Sequence, residues 1–268
     1  MIDLDAYLER IGYAGSRAAT PETLHALQRH HLHAIPFENL DVVLRRPIRL
    51  DPASLQRKLV ADRRGGYCFE SNGFFMHALR AMGFRTTALA ARVLFERPET
   101  APLPPRTHML QKVDFDHGSY IVDVAFGGQT PAAPLPLEAD IEHPTPRESC
   151  RLIQRSDGEI EVESLMGEWR KLYRFSLQAL EPVDFEPANW LTSTHPESRF
   201  TTNLIAALPG EGCRYALFNR ELRIRFPDGR VDVKPVADAF ELTALLRERF
   251  TLALSDEDCA TLAERFLR

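Results

Sequence analysis

"RRGGYCFESNGFF", residues 63–75, decides the reading of this chain. Two glycines stand just before Cys68, and a helical pattern begins at that cysteine, running "CFESNGFFMHALRAMG" to Gly83 as its natural C-terminal stop. Unpaired N–H groups and aligned peptide dipoles make a helix N-terminus electropositive. A cysteine at such a position is favoured as the thiolate, its nucleophilic form. Gly65 and Gly66 predict a sharp backbone turn and room for a substrate to approach. Arg63 and Arg64 add positive charge nearby. A lone cysteine is more often a small buried hydrophobe, and position alone leaves that reading open.

A cysteine nucleophile needs a base, and the base needs an orienting partner. His108 in "RTHMLQKV" and Asp123 in "YIVDVAFGG" lie on consecutive strand patterns joined by "DFDHGS". Residues facing each other across antiparallel strands share a face. A turn centred between Asp116 and His117 makes His108 and Asp123 diagonal neighbours on one face, ~7–8 Å apart along the backbone and within side-chain reach. A turn centred on His117-Gly118 would require a bulge or a longer loop. His108 among apolar residues also reads as a satisfied core histidine. Asp123 is more telling, because a carboxylate inside an apolar strand is costly to bury without a partner.

The chain has 268 residues, enough for one large domain or two to three small ones at roughly 100–200 residues each. Hydrophobic and charged fractions of 44% and 26% are those of an ordinary globular protein. A formal net charge of -5 argues against a nucleic-acid partner. No apolar run approaches the ~18 residues a membrane span needs. The acidic, amphipathic start "MIDLDAYLERIGY" reads as neither signal nor transit peptide. Cys68, Cys150, Cys213 and Cys259 have no metal-ligand spacing, and free thiols in a reducing cytoplasm are the simplest reading. The histidines of "HALQRHHLH" (His25, His30, His31, His33) read as a solvated helix face rather than a metal site.

Residues 1–85 read as a helical bundle, with Thr20-Pro21 and Asp51-Pro52 as N-cap and first helical positions and "AIPFENLDV" as a loop. From 86 to 190 the period is two, in six strand patterns with "RSDGEI" as a tight hairpin, which predicts an antiparallel, barrel-like domain. The proline-rich stretches around 97–106 and 130–146 read as loops. Residues 191–268 mix a short helix, the strands "CRYALF", "ELRIRF" and "RVDVKPV", and a final helix capped by Ser255 with Asp258 at the capping-box spacing. The fold class is therefore α+β.

With these residues in hand the sequence resembles the arylamine N-acetyltransferases over essentially its whole length. "IPFENLD" resembles their N-terminal loop motif, "RGGYCFE" (64–70) their cysteine motif, and "TH" (107–108) and "VDVAFG" (122–127) the segments carrying their histidine and aspartate; "HPESRF" (195–200) also fits. Ala125 departs from the family's usual glycine. The resemblance implies a papain- or transglutaminase-like catalytic core with a Cys68–His108–Asp123 triad and a C-terminal α/β lid. It implies acetyl transfer from acetyl-CoA, a substrate rather than a resident cofactor, through an acetyl-cysteine to an arylamine or arylhydrazine, with no metal. It makes Phe37, Phe126 and Phe200 walls of the acceptor site, gives Gly127 and Gly128 to the pantetheine arm, and pairs Glu38 with Arg64 as a brace. An amide synthase on another acyl group, a cysteine hydrolase and a catalytically dead binding module are the rival readings. The preferred amine and the oligomeric state, a homo-oligomer included, stay open.

Overall fold

Cap residues do at the helix ends what their chemistry predicts. In the computed structural model, which describes residues 2–210 and 212–267, Asp3 caps α1 (Leu4–Arg10), Thr20 caps α2 (Pro21–Ala34) and Asp51 caps α4 (Pro52–Gln56), each accepting a backbone N–H in the first turn. A short α3 (Leu40–Val43) precedes α4, and a wider, π-type turn (Arg57–Ala61) extends it. The cysteine helix is α5 (Cys68–Ala81); beyond it Gly83 takes the positive φ of 87° that ends many helices. Tyr7, Leu8 and Ile11 of the α1 region, Leu24 and Leu27 of α2, and Phe74, Phe75 and Leu79 of α5 close one core against Val113 and Val122 of the neighbouring sheet.

That sheet is antiparallel and nearly closed on itself. In chain order its strands are β2 (Arg85–Val93), β3 (Arg106–Phe115), β4 (Gly118–Val122), β5 (Leu135–Pro136), β6 (Glu142–His143), β7 (Cys150–Gln154), β8 (Ile160–Met166) and β9 (Glu168–Phe175). Their spatial order is β5-β4-β3-β2-β9-β8-β7-β6, around a core that includes Leu89, Leu110, Val162 and Tyr173. The β7–β8 hairpin turns at Asp157-Gly158, with Gly158 at φ 84°. Two-residue strands β5 and β6 lie where the proline-rich sequence reads as loop.

A second, five-stranded antiparallel sheet has the order β1-β10-β11-β12-β13, with β1 (Phe37–Glu38), β10 (Ile205–Gly210), β11 (Cys213–Phe218), β12 (Glu221–Arg225) and β13 (Val231–Pro235). Its edge strand β1 comes from the helical N-terminal part, so backbone hydrogen bonds tie the two ends of the chain together. Helices α6 (Glu186–Thr194) and α7 (Arg199–Thr202) lead into it, and α8 (Ala239–Ala244) and α9 (Asp256–Phe266) supply core groups such as Leu242 and Leu262 against Leu208 and Leu217. The sequence reading misses β10 and α8. "IAALPG" lacks β-branched alternation beyond its first residue, whereas α8 carries a legible signal: Asp238 accepts from Glu241 N, and Glu241 accepts from Ala237 N. Among the described residues no helix is long and apolar enough to cross a membrane.

The histidines of α2 correct the expectation of one solvated face. His31 is fully buried, its Nδ1 2.9 Å from the Tyr7 hydroxyl, and burial pushes its pKa down to about 3. His25 and His33 are exposed.

The glycine pair before Cys68 also works differently from the expectation. Neither takes a positive φ; that falls on Arg63, at 48°. A Cβ on Gly65 would lie 2.1 Å from the Pro36 carbonyl oxygen, and one on Gly66 would lie 2.8 Å from Glu70 Cβ. The close approach is made by the chain's own loop, which bonds Gly66 N to Pro36 O and Glu38 N to Gly66 O. Gly65→Ala would force apart backbones that hold the cysteine in place. We expect it to cost about 3 kcal/mol or more in urea unfolding, whereas Gly12→Ala meets no atom within 4 Å and tests the backbone-angle effect alone.

Candidate active site

Cys68 is the first residue of α5, His108 lies on β3, and Asp123 lies one residue beyond the end of β4. The β3–β4 register is the one with Asp116-His117 at the turn, pairing Phe115 with Gly118 and Gln111 with Val122. It puts His108 and Asp123 diagonally across on one face. Past Val122 the strand assignment stops, which frees the aspartate to turn inward. His108 Nε2 is 2.7 Å from Asp123 Oδ2, both side chains being buried. That leaves Nδ1 free to face Cys68, whose sulfur favours the protonated ring. The buried sulfur lies 3.6 Å from the Thr107 carbonyl oxygen.

Asn72 completes the arrangement, and the sequence reading passes over it. Its Nδ2 donates to Asp123 Oδ1 (2.9 Å) and to Met109 O (2.8 Å), and its Oδ1 accepts from Val124 N (2.9 Å). Asp123 Oδ1 also accepts from Ala125 N at 2.9 Å. The position that departs from the family glycine thus touches the carboxylate through its backbone. The legible signal for Asn72 was spacing, since i and i+4 from Cys68 share a helix face.

Electrostatics follow from this enclosure. Burial opposes the charged imidazole, but Asp123 and then Cys68 outweigh it and push the His108 pKa up to about 10. Around the head of α5 lies a second network. Arg64 donates to Glu38 Oε1 from Nε (3.1 Å) and Nη2 (2.8 Å) and reaches Asp41 at 3.3 Å. Lys58 lies 2.7 Å from Asp41 and 2.6 Å from Glu70. Glu70 accepts from Tyr67 N at 3.1 Å; burial raises its pKa to about 7 in spite of Lys58. The expected Glu38–Arg64 brace is therefore the centre of a five-group cluster, and Arg64 is spent on carboxylates rather than on the sulfur.

Phe37, Phe126 and Phe200 are half-buried. Phe126 meets the His108 ring edge-on at 5.0 Å, with Tyr173 also 5.0 Å from that ring. Phe200 lies 6.2 Å from Phe37 and 5.6 Å from Tyr67, ring to ring. Gly127 sits at φ 73° against the Phe37 ring, and Gly128 faces Ala216, where a Cβ would come within 3.3 Å. Cys150, Cys213 and Cys259 are buried free thiols. Among the described residues no group of three or more His, Cys, Asp or Glu is placed to hold a metal.

A buried Cys–His–Asp convergence at a helix head, walled by phenylalanines, invites comparison with known proteins. A family model described as N-acetyltransferase matches residues 20–259. An arylamine N-acetyltransferase of Mycobacterium tuberculosis is 42% identical over 95% of this chain and 91% of its own length. The chain belongs to the arylamine N-acetyltransferase family. The Escherichia coli member is 38% identical over 94% of this chain and 90% of its own. The solved Mycobacterium marinum arylamine N-acetyltransferase superposes with a TM-score of 0.94 at 36% identity, covering 98% of this chain and all (100%) of that one.

In this family member two outcomes test the geometry. Asn72→Leu would take a partner from the Met109 carbonyl and the Val124 N–H and leave Asp123 Oδ1 with the Ala125 N–H alone; at ~1–3 kcal/mol for each buried orphan, urea unfolding should show a loss of about 2 kcal/mol or more. His108 is raised above the ordinary 6.5, so its stabilisation is complete below pH 6.5 and is lost as pH rises through about 10. The melting temperature should fall over that window more steeply in the native chain than in His108→Gln; equal slopes would refute the assignment.

Proposed function

We propose that this chain acetylates the nitrogen of arylamines and arylhydrazines from acetyl-CoA by a two-step, ping-pong route through acetyl-Cys68. The observation that carries the reading is the His108 ring held by the Asp123 carboxylate, with Cys68 near enough to favour the ring's proton. The relatives from Mycobacterium tuberculosis and Escherichia coli, both arylamine N-acetyltransferases, support the acceptor class. The donor is supported by the Mycobacterium marinum enzyme, solved in complex with CoA and superposing at a TM-score of 0.93 with 36% identity.

In the first step Cys68 carries negative charge and His108 the proton. The sulfur attacks the thioester carbonyl, backbone N–H groups at the head of α5 receive the developing oxyanion, and the bond to the CoA sulfur breaks. The departing CoA thiolate takes the proton from His108. Acetylation neutralises the Cys68 sulfur, so one of the two partners that held the ring's proton is gone. The neutral imidazole can then accept the proton of the attacking amine as the new C–N bond forms and the C–S bond breaks, which restores the starting ion pair. Asp123 fixes the ring orientation throughout, and Asn72 fixes Asp123.

Phe37, Phe126 and Phe200 would exclude water and face a flat acceptor. Beside Phe126, Phe95 opens onto a groove of about 530 Å³ whose lining includes Arg97, Arg155, Arg170, Arg174 and Arg225, with Glu96 and Glu161 among them. Its guanidinium groups suit the phosphates of CoA. The three units 1–85, 86–190 and 191–268 would divide the work: nucleophile, base with its orienter, and lid. The buried free thiols fit a reducing cytoplasm.

The intact protein mixed with acetyl-CoA alone should gain one acetyl group on the peptide containing Cys68, read by mass spectrometry, and added arylamine should remove it. Cys68→Ala should give no adduct and no turnover while keeping the native melting temperature. An adduct on another residue, or undiminished turnover in Cys68→Ala, would sink the proposal.

A further inference from the structure

Away from Cys68, a second cavity of about 70 Å³ lies where α2, the turn after Phe126 and the β10–β11 hairpin meet. Cys68, His108, Phe126 and Phe200 do not line it, whereas Phe37, Gly127 and Gly128 contribute to its wall. Its floor is apolar, from Leu32, Ile35, Val124, Ala132 and Leu208, and its polar edge carries the cations Arg29, Arg147 and Arg214 beside His33.

The cations are poorly compensated. Arg214 is buried; it donates to Gly128 O at 3.0 Å and pairs with Glu148, yet its buried Nε–H has no partner among the described residues. Arg147 directs its guanidinium to the carbonyls of Cys213 (2.6 Å) and Gly210 (3.0 Å) rather than to a carboxylate. Burial lowers the pKa values of Arg147, Arg214 and His33, and for His33 the nearby Arg147 and Arg29 lower it further. One buried arginine and one half-buried arginine on one side of a cavity, with aliphatic groups on the other, suit an anion with a short hydrocarbon tail. The volume admits a handful of heavy atoms.

We propose that this cavity is a binding site for a short-chain monocarboxylate, its oxygens on the Arg147–Arg214 side and its alkyl end against Leu32, Ile35 and Ala132. The cavity does not include Cys68 but adjoins the acyl-transfer cleft, sharing Phe37, Gly127 and Gly128 with it. Arg214 holds the Gly128 carbonyl, and the Phe126 N–H is fixed by Thr130 Oγ1 within the same turn.

The test is isothermal titration of the intact chain with sodium propionate at constant ionic strength, with chloride as control. Saturable binding is expected, and it should weaken about tenfold or more in Arg147→Met, which removes charge, and in Ala132→Leu, which fills the floor. Protein alkylated at Cys68 should bind propionate as the unmodified chain does. No propionate binding beyond chloride would overturn the proposal. So would binding lost on alkylation but kept in Arg147→Met, which would put the carboxylate in the catalytic cleft. Saturation by inorganic phosphate without propionate would overturn the assignment of ligand class.

Discussion

A carboxylate with almost no water around it must be satisfied by the protein, and Asp123 sets that requirement for the whole molecule. One oxygen takes the His108 ring, and the other takes Asn72 Nδ2 and the Ala125 N–H. These donors come from β3, from α5 and from the turn after β4. The charge can be buried because helix and barrel meet there in one arrangement. The bonds that satisfy the aspartate also point His108 at the head of α5. Stability and chemistry share the same hydrogen bonds.

The network around Arg64 serves the other side of the cysteine. Three carboxylates and two cations are withdrawn from water among the Pro36–Asp41 segment, the Lys58 turn and the start of α5. Desolvating five charged groups is expensive, so such a cluster is weak as a source of stability. Its value lies in geometry. It fixes the loop whose backbone bonds Gly66, and that loop continues as β1, the edge of the C-terminal sheet. Phe37, on the same strand, packs its ring against that of Phe200. Moving this brace would shift Cys68, the Phe37 ring and the second sheet together.

In this chain the arrangement makes motifs far apart in sequence depend on one another. The cysteine segment alone gives a thiol at a helix N-terminus. The histidine and aspartate segments alone give a polar pair inside a barrel. Neither is satisfied without the other, because Asn72 of the cysteine helix is the donor that completes Asp123.

The sequence by itself determined the local events. Cap residues Thr20, Asp51 and Ser255 mark helix starts because a side-chain oxygen three residues back satisfies an orphan N–H, a purely local bond. The Asp116-His117 turn follows from strand parity, and with it the shared face of His108 and Asp123. Tertiary structure decided whatever depends on distant partners. Asn72 reads as an ordinary helical polar residue until β3 and Asp123 arrive beside it. His31 reads as solvated until Tyr7 of α1 covers it. Gly65 and Gly66 read as a turn, yet Gly65 is needed because the Pro36 carbonyl passes where its Cβ would stand, and Gly66 because the Glu70 side chain does. Strand β10 has too little β-branched alternation to announce itself and exists through its pairing with β1 and β11. Periodicity and capping are short-range and legible along a chain, whereas burial, close approach and the satisfaction of a buried charge are set by which surfaces meet.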